Sequence, residues 1–93
     1  MKDPMPKQIA KNAKFRVLCT PEQSDIVLEI FESHGIMWAG GDRPTSWRVN
    51  QYSDLSAICI SRNRIFFEEW PLTDADVKQE ISFDQFVDEY SKK

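Results

Sequence analysis

Apolar positions in this chain follow two different periods, and the changes between them mark the elements. Phe15, Val17 and Cys19 alternate with Arg16 and Leu18, which predicts a first strand running into Thr20. From Pro21 the spacing lengthens. Ile26, Val27, Ile30, Phe31 and His34 recur at helical intervals as a predicted buried stripe, with Glu22, Asp25, Glu29 and Glu32 directed largely elsewhere. Thr20 is a favoured N-cap, Pro21 suits the first helical position, and Gln23 completes a capping box. A helix is therefore predicted over 21–34, with Gly35 supplying the left-handed cap at its end. Ile36 to Ala39 then read as a short strand entering the loop Gly40, Gly41, Asp42 and Arg43.

Alternation returns further on. Trp47 and Val49 alternate with polar neighbours, so Thr45 to Val49 is read as a second short strand, with a turn over Asn50 to Asp54. A hairpin is the strongest β signal: LSAICIS and RIFFEEW flank Arg62 and Asn63, and asparagine tolerates positive φ. With a two-residue loop, Ile60 faces Ile65 and Ile58 faces Phe67, which makes these four the core face. The reverse face then carries Ala57, Cys59 and Phe66, followed by Glu68. That face is too apolar for water and needs a cover, from the N-terminal arm, the C-terminal segment or a second copy of the chain, with intrachain cover preferred.

Thr73 to Glu80 is polar and reads as a connector, after which Ser82 with Gln85 suggests a second capping box. It opens a helix over 83–91 with Phe83, Phe86, Val87 and Tyr90 on one side. The predicted fold is α+β, an antiparallel or mixed sheet of four to five strands with one main helix packed on it and a short C-terminal helix. Residues 1–13 are read as a flexible basic arm and residues 14–93 as a single domain.

Composition narrows the class. At 93 residues, with 41% hydrophobic side chains, the chain holds one modest core. No apolar run approaches a membrane span or the centre of a signal peptide, so a cytoplasmic, membrane-free protein is expected. Cys19 and Cys59 lack metal-ligand spacing and are read as buried free thiols. The net charge of -3 is unevenly spread. Lys2, Lys7, Lys11, Lys14 and Arg16 crowd the N-terminal end, whereas Glu68, Glu69, Asp74, Asp76, Glu80, Asp84, Asp88 and Glu89 make the C-terminal part acidic. An acidic face of this kind is either solvated or fits a basic partner surface.

Catalytic chemistry finds little support. His34 is the sole histidine and sits at a helix end, where capping is the expected role. Glu68 and Glu69 are adjacent in a strand, point to opposite faces and so form no acid–base pair. Asp74, Asp76 and Glu80 lack the glycine and remaining ligands of a calcium loop, and Gly40–Gly41 matches no phosphate loop or dinucleotide fingerprint. The chain is therefore read as a non-enzyme without metal or cofactor.

Arginine placement is more informative. Beyond Arg16, the arginines Arg43, Arg48, Arg62 and Arg64 all fall in or beside predicted turns, while the lysines collect almost entirely in the tails. Guanidinium forks hold phosphate bidentately and stack on rings. Trp38, Trp47 and Tyr52 surround the same loops, with Gly40, Gly41, Thr45 and Ser46 offering amides and hydroxyls. A small nucleotide is the ligand this set suggests, bound by Trp38, Gly40, Gly41, Arg43, Thr45, Trp47, Arg48, Arg62 and Arg64. The alternative is a protein-binding inhibitor of an enzyme, acting through an acidic surface that imitates nucleic acid, with Phe66, Asp84, Asp88 and Glu89 at the interface and homo-oligomerisation through Phe66. Long nucleic acid is disfavoured because the folded part is acidic.

The runs FRVLCTPEQS (Phe15 to Ser24), IFESHGIMWAGG (Ile30 to Gly41) and ISFDQFVDEY (Ile81 to Tyr90) resemble small accessory proteins of tailed bacteriophages. The three runs make up about a third of the chain. It implies a counter-defence role in the host cytoplasm, either sequestering a cyclic nucleotide immune signal or binding a host defence enzyme.

Overall fold

The computed structural model describes residues 8–69 and 79–91. Its elements are β1 (Phe15–Leu18), α1 (Pro21–Ser33), β2 (Met37–Trp38), a 3-10 turn (Pro44–Ser46), β3 (Leu55–Ser61), β4 (Arg64–Glu69), β5 (Glu80–Ser82) and α2 (Phe83–Tyr90). The strands form one five-stranded mixed sheet in the order β2-β4-β3-β1-β5. Helices α1 and α2 pack together on one face, so the fold is α+β.

Direction follows from the ladders. Strand β1 is antiparallel to β3 and parallel to β5, and β4 is antiparallel to β3 and parallel to β2. The β1–α1–β2 unit is thus a split crossover, with the β3–β4 hairpin inserted between its two strands. Strand β2 is confined to the sheet edge.

The hairpin register matches the sequence reading, with Ile60 opposite Ile65 and Ile58 opposite Phe67. Arg62 and Asn63 both take positive φ, at 55° and 62°, the two-residue turn whose twist suits a tight hairpin. Ile58, Ile60 and Ile65 are fully buried against Val17, Val27, Leu28, Phe31 and Phe86. Helix α1 begins as predicted: Gln23 N–H donates to Thr20 Oγ1 at 3.2 Å and Thr20 N–H donates to Gln23 Oε1 at 3.0 Å. Gly35 follows its end at φ 76°.

Four local readings are corrected. The helix buries Val27, Leu28, Ile30 and Phe31, whereas Ile26 is 45% exposed. Both sides of residues 26–28 are apolar, and only the position of the sheet selects Leu28. Residues 45–49 form no strand; Pro44 opens a 3-10 turn instead. Ser82 caps Gln85 N–H at 3.1 Å, but the Gln85 side chain turns to Glu89 at 2.9 Å, so the second capping box is incomplete. Strand β5 was outside the sequence reading because it is three residues long with a single apolar side chain, Ile81, and forms only by pairing with β1. The predicted connector lies mostly outside the described residues, as does most of the basic arm, of which Ile9 and Ala13 pack on the core.

On the reverse face of the sheet Ala57 and Cys59 are fully buried within the single chain, beside half-buried Phe66. Their burial needs no second copy. Both cysteines are free and buried. Burial pushes the Cys19 thiol up to about 12, and burial followed by the neighbouring Glu68 raises Cys59 as well. Neither thiol ionises at neutral pH.

Candidate functional site

The loop that carries the predicted chemistry is closed by its own main chain. Trp38 N–H donates to Asp42 C=O at 2.9 Å, and Gly41 N–H donates to Trp38 C=O at 2.8 Å. Gly41 takes φ 96°, a conformation that favours glycine. Ala39 N–H donates to Ile65 C=O at 2.9 Å and anchors the loop to β4. From there the chain turns back through the Pro44–Ser46 turn, which is held by two clamps.

The first clamp is Trp38 itself. Its ring is 5% exposed, and its Nε1–H is shared between the carbonyls of Pro44 and Trp47, each at 3.1 Å. The second is Glu32 on α1, whose Oε1 accepts from Thr45 N–H at 3.0 Å and from Thr45 Oγ1–H at 2.5 Å. The Thr45 hydroxyl and then its amide hold the Glu32 carboxyl below the usual range. These contacts place Trp47 on the surface, 42% exposed, with its ring 5.1 Å from Trp38 and 5.7 Å from Phe67. Tyr52 stacks on Phe67 at 5.1 Å and extends the same aromatic cluster.

A cleft of about 390 Å³ opens here, lined among the described residues by Trp38, Ala39, Gly40, Asp42, Trp47, Ile65, Phe66 and Phe67. It lies where β2 ends and β4 continues, so it draws on both sheet faces: Phe67 from the core side and Phe66 from the reverse side. The size falls within the range of small-ligand sites.

Of the predicted ligand residues, Trp38, Gly40 and Trp47 come together in this cleft. Trp38 forms its inner wall; the exposed ring is Trp47. Gly41 shapes the loop, and Thr45 is occupied by Glu32. The arginines separate. Arg48 Nη1 contacts Asp25 Oδ1 at 3.1 Å, a charge contact without hydrogen-bond alignment, while Asn50 Nδ2–H donates to Asp25 Oδ2 at 3.1 Å. Arg43 directly follows the lining residue Asp42, and Arg64 stands two residues before Phe66 on the same sheet face. Both side chains are exposed and make no hydrogen bond or ion pair with a described residue, although the Arg43 charge acts on Glu32. Arg62 occupies the hairpin turn and is not part of the lining.

The predicted protein interface does not form one patch. Asp84 and Asp88 are exposed one turn apart on α2, and Glu89 accepts from Gln85. Helix α2 packs through Phe86 against Phe15 and Phe31 on the core face, opposite Phe66. The alternation of a strand sends Phe66 away from everything on the helical side.

His34 plays the structural part expected of it, with Nε2 2.8 Å from Tyr90 C=O, joining the ends of α1 and α2. Sequence reasoning missed Ala39, Asp42, Ile65, Phe66 and Phe67 as cleft residues, since only the β2–β4 pairing sets the loop beside the hairpin. Among the described residues no group of histidine, cysteine, aspartate or glutamate is placed to hold a metal, and no helix is long and apolar enough to cross a membrane. No protein-family model matches the sequence, and comparisons with curated proteins and with solved structures find no match.

Proposed function

We propose that this chain is a non-catalytic binding module for a small nucleotide, with the base in the cleft at Trp47 and the phosphates outside it. The observation that carries this reading is the half-exposed Trp47 ring over a cleft walled by Trp38, Phe66 and Phe67. A planar ring gains both apolar burial and offset or edge contact in such a site. Charge sorts the two ends of the ligand. Asp42 repels phosphate from the cleft, while exposed Arg43 and Arg64 flank it.

Sequestration of an immune nucleotide is the setting that the resemblance to phage accessory proteins implies, and it forms part of the proposal. A second reading, a protein-binding inhibitor, draws on exposed Asp84 and Asp88 on α2. It lacks the apolar anchor at Phe66, which lies on the opposite face of the sheet.

Calorimetry and tryptophan fluorescence against mononucleotides, cyclic di- and trinucleotides and cyclic ADP-ribose isomers test the reading. Binding is expected to quench the fluorescence and raise the melting temperature by mass action. Trp47→Ala is expected to abolish binding while the protein stays folded. Arg43→Ala is expected to weaken binding by roughly tenfold or more, the loss of one charge-assisted bond. Silence of the folded protein across the panel overturns the nucleotide reading; charge reversal at Asp84 and Asp88 then tests the inhibitor.

A further inference from the structure

We infer that Asp42 makes this cleft selective for guanine, an inference that rests on the nucleotide reading above. Asp42 is the only ionisable side chain among the described residues of the lining. Its carboxylate has no hydrogen bond or ion pair with any described residue. The residue is nonetheless held in place, because its carbonyl accepts Trp38 N–H at 2.9 Å and the preceding Gly41 N–H returns to Trp38 C=O at 2.8 Å. Asp42 is exposed at an otherwise apolar cleft, where its carboxylate is open to a ligand that offers N–H donors.

Guanine meets that demand better than the other bases. A carboxylate only accepts, and it takes two parallel hydrogen bonds from adjacent donors. Guanine alone presents two adjacent donors on one edge, at N1 and the 2-amino group. Adenine offers an acceptor at N1, and uracil sets its single N3–H between two carbonyls, so both meet the carboxylate with like polarity.

The main chain of β4 adds a complementary group. Ile65 C=O points towards β2, where it accepts Ala39 N–H. Alternation along the antiparallel β3–β4 ladder then turns the Phe67 N–H and C=O to that same side. Beyond Trp38 no β2 residue pairs with β4 there, and Phe67 lines the cleft. An outward amide N–H is the donor that guanine O6, next to N1–H, requires.

Calorimetry with GMP, IMP, AMP and XMP decides the matter. On the unmodified protein GMP is expected to bind tightest. IMP, which lacks the 2-amino donor, is expected to bind roughly ten- to a hundredfold more weakly, and AMP and XMP at least as weakly. Asp42→Asn, whose amide donates to a 2-carbonyl, is expected to reverse the order of GMP and XMP. That gain of binding is one that an unfolded variant cannot imitate. Equal binding of GMP, IMP and AMP, all lost in Trp47→Ala, overturns guanine selectivity and leaves the nucleotide reading standing. Absence of binding by all four, and by the wider panel, overturns both.

Discussion

Arg16 on β1 and Glu68 on β4 meet across the intervening strand β3, with Arg16 Nε 2.8 Å from Glu68 Oε1 and the two side chains only 7% and 9% exposed. Cys59 of β3 lies beneath them, its Sγ–H donating to the same oxygen at 3.1 Å, and Arg16 Nη1 also reaches Glu80 of β5 at 3.2 Å. The hydrogen bond to Glu68 outweighs the cost of burial and holds the guanidinium firmly charged. One arginine thus ties three strands around the centre of the reverse face.

Removing Glu68 takes from the buried Arg16 guanidinium its nearer carboxylate and leaves the half-exposed Glu80 at 3.2 Å. Glu68→Ala is expected to destabilise the domain by roughly 1.5–3 kcal/mol, the loss of a charge-assisted hydrogen bond, and to open Cys59 to thiol reagents. Urea denaturation and timed thiol labelling check this. A midpoint near that of the unmodified protein shows the pair to be solvated.

Trp38 serves the loop through its N–H as much as through its ring. Trp38→Phe keeps an aromatic ring but strands the carbonyls of Pro44 and Trp47. The expected loss is roughly 1–3 kcal/mol, from two hydrogen bonds. Amide exchange at Ser46, whose N–H donates to Arg43 C=O at 3.0 Å, should quicken while the β3–β4 ladder stays protected. Unchanged exchange at Ser46 removes the clamp from the account.

Acid should loosen the same loop. The Glu32 carboxyl is lowered in the folded protein by Thr45, so its contribution is complete above the ordinary glutamate range, about pH 4.3, and is lost as pH falls through the lowered folded value. The Thr45 amide resonance is expected to titrate below that ordinary value. Glu32→Gln should flatten the response, since an amide oxygen accepts without titrating. A Thr45 titration at or above the ordinary value contradicts the assignment.

The cap of α1 gives a smaller effect. Thr20→Ala removes the acceptor for Gln23 N–H and should cost roughly 1 kcal/mol in the denaturation midpoint, with no change in ligand affinity. An unaltered midpoint means that the helix start contributes nothing.

What the sequence determined by itself is local. Thr20, Pro21 and Gln23 specify the start of α1, Gly35 its end, and Arg62–Asn63 the hairpin turn with its register, because caps and two-residue turns are decided by neighbours within a few positions. The loop containing Trp38, Gly40 and Trp47 stood out for the same reason, as a local cluster of aromatic and permissive residues. Tertiary structure decided everything that depends on which element lies beside which. It chose Leu28 over Ile26 for burial, made a strand of Glu80–Ser82 by pairing it with β1, and bent residues 44–46 around the Trp38 indole. It also tied Arg48 to Asp25 and brought Asp42, Phe66 and Phe67 into one cleft. Those partners are distant in the chain, and their meeting follows from the sheet order, which a one-dimensional pattern of polarity does not contain.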